Sequence, residues 1–236
     1  MTDERPFHFK HFSLFHHRST MKVGTDAILL GCWVEVKPAD VVLDIGTGCG
    51  LLPLMLSQKG VAQVDAVDID AASIEEASIN FAASRWRDHL RAICADINVF
   101  QPEQRYDLMI SNPPFFNRYS KCDSERKSRA RHNDVTLSYE ALCCVVMRLL
   151  KPDGRFALVL PVNVLDEFLK NAENYGLFIQ KRLNIIPIAG RRPNRVNLEL
   201  GSAKPQQIQE ETLTIRYADN SFTEQYKALV QPFYLG

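Results

Sequence analysis

Short apolar runs alternate with longer amphipathic segments along most of this chain. A short β-branched run followed by a helical pattern is typical of β-α-β units, whose strands are parallel. The alternation therefore predicts an α/β fold with a doubly wound, mostly parallel sheet of seven strands. The candidate strands lie at residues 41–45, 64–69, 91–95, 106–110, 155–160, 178–186 and 196–200, with a less regular eighth candidate at 212–217.

Two segments have the apolar spacing of helices, at residues 71–86 and 138–151. Asp70 is placed to cap the first helix with its side chain. The sequence KPDG at 151–154 ends the second. Residues 112–136 have no clear periodicity and many charges, which indicates a long loop directly after a strand, and such loops are usually functional or disordered.

The length of 236 residues suits one large domain with a buried core. We expect residues 1–35 to form a short N-terminal appendage and residues 36–236 the main domain. No apolar run of about 18 residues occurs, and the first residues lack the apolar centre of a secretory signal. These features predict a cytoplasmic protein without membrane contact, and no obligate protein partner is evident.

The six cysteines form no C-x-x-C pair, so neither a metal site nor a redox pair is predicted. Cys94, Cys143 and Cys144 lie within apolar runs. Cysteine in such a setting usually acts as a small buried hydrophobic residue, and we expect the same of these three.

Charge is balanced overall, with 28 basic and 28 acidic residues, but it is unevenly distributed. Residues 7–22 interleave Phe and His with basic side chains, and residues 118–132 are rich in Lys and Arg. Basic segments of this kind either bind nucleic acid or form a solvated surface. The N-terminal Phe residues suit either stacking on unpaired bases or a hydrophobic arm packed on the core.

The first predicted strand leads into a glycine-rich turn, in the sequence VVLDIGTGCG at 41–50. Gly46, Gly48 and Gly50 permit tight turns and leave room for a ligand close to the backbone. A helix is expected to begin near Leu51, with its exposed N–H groups facing that ligand. Because the spacing is G-x-G-x-G, a dinucleotide pyrophosphate fits less well than a nucleoside or an amino acid.

Acidic residues end the next two predicted strands, where ligands of open α/β folds bind. Asp68 is placed to accept hydrogen bonds from ribose hydroxyls, whereas Asp70 is expected to cap the following helix. Asp96 follows the third strand. It is equally suited to accept from an adenine amino group or to begin a turn.

The fourth predicted strand runs into Asn112, Pro113, Pro114 and Phe115. Two prolines lack N–H groups and leave nearby carbonyls free as acceptors. An amino group held by Asn112 Oδ1 and the Pro113 carbonyl can donate both hydrogens and point its lone pair at an electrophile. Phe115 offers a face on which a planar base can stack. The motif predicts chemistry at an exocyclic or amide nitrogen.

With these motifs the sequence resembles the class I S-adenosylmethionine-dependent methyltransferases that carry an N-P-P-(Y/F) motif, over residues 22–200 at least. The resemblance implies a Rossmann-like fold and S-adenosylmethionine as cofactor, with Asn112, Pro113, Pro114 and Phe115 catalytic. It also implies that Lys22, Gly24, Thr25 and Asp26 close over the methionine end. The other implied cofactor-binding residues are Asp44, Gly46, Thr47, Gly48, Gly50, Asp68, Ile69, Asp96 and Asn112 itself.

Three further segments are similar to the bacterial valine-tRNA adenine-N6 methyltransferases: KVGTDAILLG at 22–31, SNPPFF at 111–116 and QPFYLG at 231–236. This resemblance implies methylation of adenine 37 in a tRNA. Phe115 replaces a common Tyr and also occurs in guanine-N2 rRNA methyltransferases, which remain an alternative. A glutamine-N5 protein methyltransferase normally has a helical domain before the cofactor fold, where this chain has about forty residues. A cofactor-binding protein without turnover is the nonenzymatic alternative.

A tRNA partner would be held through its phosphates by basic side chains near the catalytic loop. A cluster in a later loop, between two strands that we expect to be parallel, offers further contacts. The candidate RNA-binding residues are Arg118, Lys121, Arg126, Lys127, Arg129, Arg131, Arg191, Arg192 and Arg195.

Overall fold

The computed structural model describes residues 5–19, 22–113 and 137–234. They form a two-stranded hairpin and an eight-stranded sheet covered by helices on both faces. In chain order the elements are β1 (Phe7–His8), β2 (Ser13–Leu14), α1 (Thr25–Trp33), β3 (Val41–Ile45), α2 (Leu51–Gln58), β4 (Gln63–Asp68), α3 (Ala71–Ala82), β5 (Leu90–Cys94), β6 (Tyr106–Ser111), α4 (Tyr139–Leu149), β7 (Leu150–Pro161), α5 (Leu165–Asn174), β8 (Phe178–Ile188), β9 (Arg195–Gly201), β10 (Gln209–Arg216) and α6 (Glu224–Val230).

The large sheet has the strand order β10-β8-β9-β7-β6-β3-β4-β5. All its strand pairs are parallel except the two that β9 makes with β7 and β8. The chain runs from β3 outward to β5 and then returns to the other side of β3 to form β6. The predicted doubly wound, mostly parallel sheet is confirmed, with eight strands because β10 pairs with β8 as the last strand.

Two hydrophobic cores lie on opposite faces of this sheet. Successive strand residues point to opposite faces, so Val42 and Leu108 join one core while Leu43 and Met109 join the other. Helices α1, α2, α3 and α6 contribute to the first core, and α4 and α5 to the second. Every central strand is therefore buried on both faces, which is why these strands are almost continuously apolar.

The bounds of the elements differ from the predicted ones in physically informative places. The helix that begins after Asp70 ends at Ala82, four residues earlier than predicted. Helix α4 ends at Leu149, two residues earlier than predicted, and the KPDG sequence belongs to β7, which starts at Leu150 with an irregular register against β6. The sequence patterns did not predict α1, α5, α6 or the β1–β2 hairpin.

The prediction for the cysteines was correct for only one of the three. Cys143 is buried, but Cys94 and Cys144 are exposed. Cys94 ends β5, one of the two edge strands of the sheet, and Cys144 lies on a surface-facing side of α4. An apolar run therefore did not guarantee burial, because edge strands and amphipathic helices also expose part of their length.

Residues 7–19 pack on the core as a hydrophobic arm, called the N-terminal arm below. Phe9 and Phe12 are buried and stack with ring centroids 4.6 Å apart, while Phe15 stays 37% exposed. The backbone N–H of Lys10 donates to the carbonyl of Phe233 at 2.8 Å, and its Nζ donates to the carbonyl of Gln231 at 2.6 Å. Of the two roles predicted for these aromatic residues, Phe9 and Phe12 have the structural one.

Among the described residues, no helix combines the length and apolarity that a membrane crossing requires. The same part of the chain contains no group of three or more His, Cys, Asp or Glu side chains arranged to hold a metal ion.

Candidate active site

Strand register brings the predicted site residues to one edge of the sheet. Ile45, the last residue of β3, pairs with Val67 of β4 on one side and with Ser111 of β6 on the other. The Ser111 hydroxyl also donates to the Ile45 carbonyl at 2.9 Å. The residues that follow these strands therefore meet beside β3, where the strand order reverses. Ligands of doubly wound sheets bind at this position.

The glycine-rich turn is fastened to the end of β4. The backbone N–H groups of Gly46 and Thr47 both donate to the carbonyl of Val67, at 2.9 and 3.1 Å. Gly50 has a φ of 85°, and a Cβ there would overlap the ring of Phe81 on α3. Only glycine meets both conditions, so the turn can lie against α3 and start α2 at Leu51.

The carboxylate of Asp68 bridges the glycine-rich turn and the start of α3. Its Oδ2 accepts from the Gly48 N–H at 2.9 Å, and its Oδ1 accepts from the Asp70 N–H at 3.0 Å. Each oxygen thus retains capacity for a further donor, such as a ribose hydroxyl. Asp70 caps α3 by accepting from Ser73, as predicted.

Asp96 begins a turn after β5. Its Oδ1 accepts from the backbone N–H of Asn98 at 2.9 Å and from the side-chain Nδ2 of the same residue at 2.8 Å. The turn-forming role proposed for Asp96 is thus present. A contact of its carboxylate with an adenine amino group stays a prediction.

Several buried polar atoms at this edge have no hydrogen-bond partner among the described residues. They are both carboxylate oxygens of Asp44, the hydroxyl of Thr47 and Oδ1 of Asn112. Unpaired buried polar atoms are rare in proteins, and a cluster of them beside a glycine-rich turn is typical of a site that binds a polar ligand. Such acceptors fit the ammonium and hydroxyl groups of the S-adenosylmethionine that the sequence resemblance implies.

The remaining predicted cofactor residues lie at the surface of the same region or close to it. Ile69 is 58% exposed directly after Asp68, where an apolar side chain can contact a base. Lys22 and Gly24, just before α1, and Thr25, its first residue, are exposed.

The predicted catalytic and RNA-binding residues are only partly described. Asn112 and the buried Pro113 follow β6. The connection between β8 and β9 links antiparallel strands, not parallel ones as expected, and it carries Arg191 and Arg192 in exposed positions. Pro114, Phe115, Arg118, Lys121, Arg126, Lys127, Arg129 and Arg131 lie outside the described residues.

Arg195 differs from the other two arginines of its predicted cluster. It lies on β9 rather than in the loop, and its Nε is 2.8 Å from Oδ2 of Asp26. This ion pair joins β9 to the first turn of α1, so Arg195 has a structural contact in addition to any contact with RNA.

Comparison with known proteins identifies the family. A sequence profile of the methyltransferase small domain matches residues 13–167. A tRNA1(Val) (adenine(37)-N6)-methyltransferase from Bacteroides thetaiotaomicron is 39% identical over 231 residues, which covers 97% of each chain. An enzyme of the same name from Tolumonas auensis is 42% identical, covering 97% of this chain and 96% of the relative.

The chain belongs to the tRNA1(Val) (adenine(37)-N6)-methyltransferase family. Solved structures confirm the fold of this methyltransferase at lower sequence identity. A predicted O-methyltransferase from Agrobacterium tumefaciens superposes with a TM-score of 0.64 at 18% identity, covering 88% of this chain and 96% of that one.

Two residues of this methyltransferase that the sequence analysis did not select, Glu76 and Asn80, connect the N-terminal arm to the site. Both lie on α3 and are 1% exposed. They are four residues apart, on the face that also carries the buried Ala77 and Phe81. The sequence contained one signal for them, a carboxylate and an amide on the apolar face of a helix. Such groups are buried only with hydrogen-bond partners, so their position indicates a contact with another segment.

Asp44 is completely buried at the end of β3. Burial raises the pKa of its carboxyl to about 7; the nearby Thr47 hydroxyl opposes this rise and the charge of Asp68 adds to it. The Thr47 hydroxyl influences the carboxyl without making a hydrogen bond of ordinary geometry. Near neutral pH, Asp44 is therefore poised between its neutral and charged forms.

We predict that Asp44 makes the cofactor-free protein less stable as pH rises. Because the folded pKa of about 7 exceeds the ordinary 3.8, ionisation favours the unfolded chain. The destabilisation develops between about pH 4 and pH 7 and reaches at most about 4 kcal/mol. Urea unfolding should show Asp44→Asn gaining stability relative to wild type across this range.

Asp88→Asn is the matched control, because the Asp88 side chain is 84% exposed. Its free energy of unfolding should follow the wild-type pH dependence. If Asp44→Asn also follows the wild-type curve, Asp44 does not titrate in this range.

Proposed function

We propose that this protein transfers a methyl group from S-adenosylmethionine to N6 of adenine 37 in a valine tRNA. The observation that carries the proposal is the buried, unpaired Oδ1 of Asn112, held next to the glycine-rich turn by the pairing of Ser111 with Ile45. The family relatives support it, since their name states this reaction. The guanine-N2, glutamine-N5 and nonenzymatic alternatives have no comparable support.

Asn112 would act by positioning the acceptor nitrogen. Its Oδ1 and the Pro113 carbonyl each accept one hydrogen of the adenine amino group, which turns the nitrogen lone pair out of the ring plane. The bound cofactor would supply the methyl group from a sulfonium centre, whose S–C bond breaks as the new N–C bond forms, and the methylated nitrogen then releases one hydrogen as a proton to solvent. Alignment and exclusion of water suffice for such a transfer, so no strong base is required.

The cofactor would be held along the edge formed by β3, β4 and β5. We assign ribose hydroxyls to Asp68, a base-stacking contact to Ile69 and the adenine amino group to Asp96. Asp44 and Thr47 would receive the polar methionine end, and the segment of Lys22, Gly24 and Thr25 would cover it. We also propose that residues 1–35 form an N-terminal segment and that residues 36–236 form the catalytic domain.

The proposal is tested first by the identity of the product. The purified protein is incubated with labelled S-adenosylmethionine and total tRNA from a strain that lacks the enzyme, and the tRNA is digested to nucleosides. We expect the label in N6-methyladenosine. Label in N2-methylguanosine would assign a guanine acceptor instead, and tRNA without label would contradict the proposed substrate.

Asn112→Ala should separate catalysis from cofactor binding. We expect kcat to fall by about 10² or more, the effect of losing a preorganised polar contact, while the Kd for S-adenosylmethionine changes little. Single-turnover kinetics and calorimetry measure the two quantities. Asn174→Ala is the control, because Asn174 is exposed at the end of α5, and wild-type turnover by Asn112→Ala would remove Asn112 from the mechanism.

Arg191 and Arg192 would hold the tRNA backbone beside the site. Arg195 pairs with Pro161 at the carboxyl end of β7, so the connection that precedes it lies at the same edge as Asn112. Phosphate contacts by exposed arginines provide affinity without sequence specificity. The cytoplasm, where tRNA is found, is the proposed location of the activity.

We predict that Arg191→Ala with Arg192→Ala weakens tRNA binding and flattens its salt dependence. Each lost phosphate contact should reduce the slope of log K against log salt by about 0.7 to 0.9. Arg85→Ala with Arg87→Ala is the matched control, because both arginines are exposed at the opposite edge of the sheet, before β5. Equal salt slopes for the two double variants would exclude the β8–β9 connection from the RNA interface.

A further inference from the structure

The carboxylate of Glu76 holds three consecutive backbone N–H groups of the N-terminal arm. Its Oε1 accepts from His17 and Arg18 at 2.8 and 2.9 Å, and its Oε2 accepts from Ser19 at 2.9 Å. A buried carboxylate is stable only when such donors replace water. The arm supplies them from residues 57 to 59 positions earlier in the chain.

Asn80 binds the same arm one turn farther along α3. Its Oδ1 accepts from the N–H of Phe15 at 2.8 Å, and its Nδ2 donates to the Phe15 carbonyl at 2.9 Å. The same Nδ2 donates to the carbonyl of Cys49 at 2.8 Å. One amide thus joins the arm to the glycine-rich turn, and both hydrogens of its NH₂ group are used.

The arm fastened in this way leads directly to the segment before α1. Nδ1 of His16 accepts from the backbone N–H of Val23 at 3.2 Å, so residues 15–19 and the start of that segment are connected. Helix α3 begins at Ala71, three residues after Asp68. Arm, glycine-rich turn and proposed ribose acid therefore share α3 as their common support.

We propose that Glu76 and Asn80 are positioning residues that set the affinity for the cofactor by holding residues 15–19 against the glycine-rich turn. This inference rests on the proposed function, since it assumes that the turn binds S-adenosylmethionine. With the arm docked in advance, binding does not have to order it. If the arm is released, only a fraction of the molecules can bind the cofactor at any time, and the apparent Kd for the cofactor rises accordingly.

The test uses Glu76→Gln and Asn80→Ala in the full chain. Gln at position 76 keeps the shape but loses the charge and one acceptor, which weakens the three charge-assisted bonds. We expect each variant to raise the Kd and KM for S-adenosylmethionine by about tenfold, the effect of losing hydrogen bonds to a charged or buried group. The kcat at saturating cofactor should stay within about twofold of wild type.

Glu75→Gln is the matched control on the same helix. Glu75 pairs with Arg18 at 2.8 Å, but both side chains are more than half exposed. Loss of this ion pair should therefore leave the Kd for S-adenosylmethionine within about twofold of wild type. Hydrogen exchange supplies an independent readout. The amides of residues 17–19 should be protected in the cofactor-free wild type and in Glu75→Gln, and should exchange faster in Glu76→Gln.

The outcomes separate the two proposals. Wild-type protein that does not bind S-adenosylmethionine would overturn the proposed function. If the wild type binds S-adenosylmethionine and both variants bind it with the same Kd, only the positioning role is overturned. The same conclusion follows if the variants lose thermal stability but their Kd does not change. A raised Kd, an unchanged kcat and faster exchange at residues 17–19 together would support it.

Discussion

The register of β3 between two parallel neighbours is the constraint on which the site depends. Ile45 faces Val67 on one side and Ser111 on the other, so the ends of three strands lie level. A shift of one residue would turn Asp44 to the opposite face and displace Asn112 from the glycine-rich turn. The paired hydrogen bonds from Gly46 and Thr47 to the Val67 carbonyl fix this register at the edge where it matters.

Polar groups are treated differently at the two edges of the sheet. At the amino edge, Arg155 joins the carboxylates of Asp40 and Glu199, and Asp65 accepts from Tyr106 and Arg91. At the carboxyl edge, several buried acceptors remain unpaired among the described residues. Proteins depart from complete hydrogen bonding chiefly at functional sites. The named ion pairs and hydrogen bonds stabilise the fold at the amino edge, although Ser57 Oγ and Gln58 Oε1 at the end of α2 also lack a partner among the described residues. The unpaired acceptors beside the glycine-rich turn are available to ligands.

Sequence patterns predicted the elements that depend only on neighbouring residues in the chain. The strands, the glycine-rich turn and the cap at Asp70 follow from neighbouring residues. Helix α1 could not be recognised by periodicity, because six of its nine residues are buried and its apolar positions surround the axis. Glu76 also escaped selection, because its partners are the backbone N–H groups of a distant segment, and these leave no trace in side-chain identity.

The contacts of Lys10 with Phe233 and Gln231 join two segments that the ribosome synthesises far apart in time. The ribosome releases Lys10 more than two hundred residues before Gln231 and Phe233. Until Gln231 and Phe233 are synthesised, Lys10 lacks the two carbonyls to which it donates. The contact between Lys10 and Gln231 closes a loop of 221 residues, and the entropy cost of closing so long a loop makes this contact a poor starting point for folding. Premature termination before Gln231 would therefore remove both partners of Lys10, whereas Glu76 and Asn80 would still be present to hold residues 15–19.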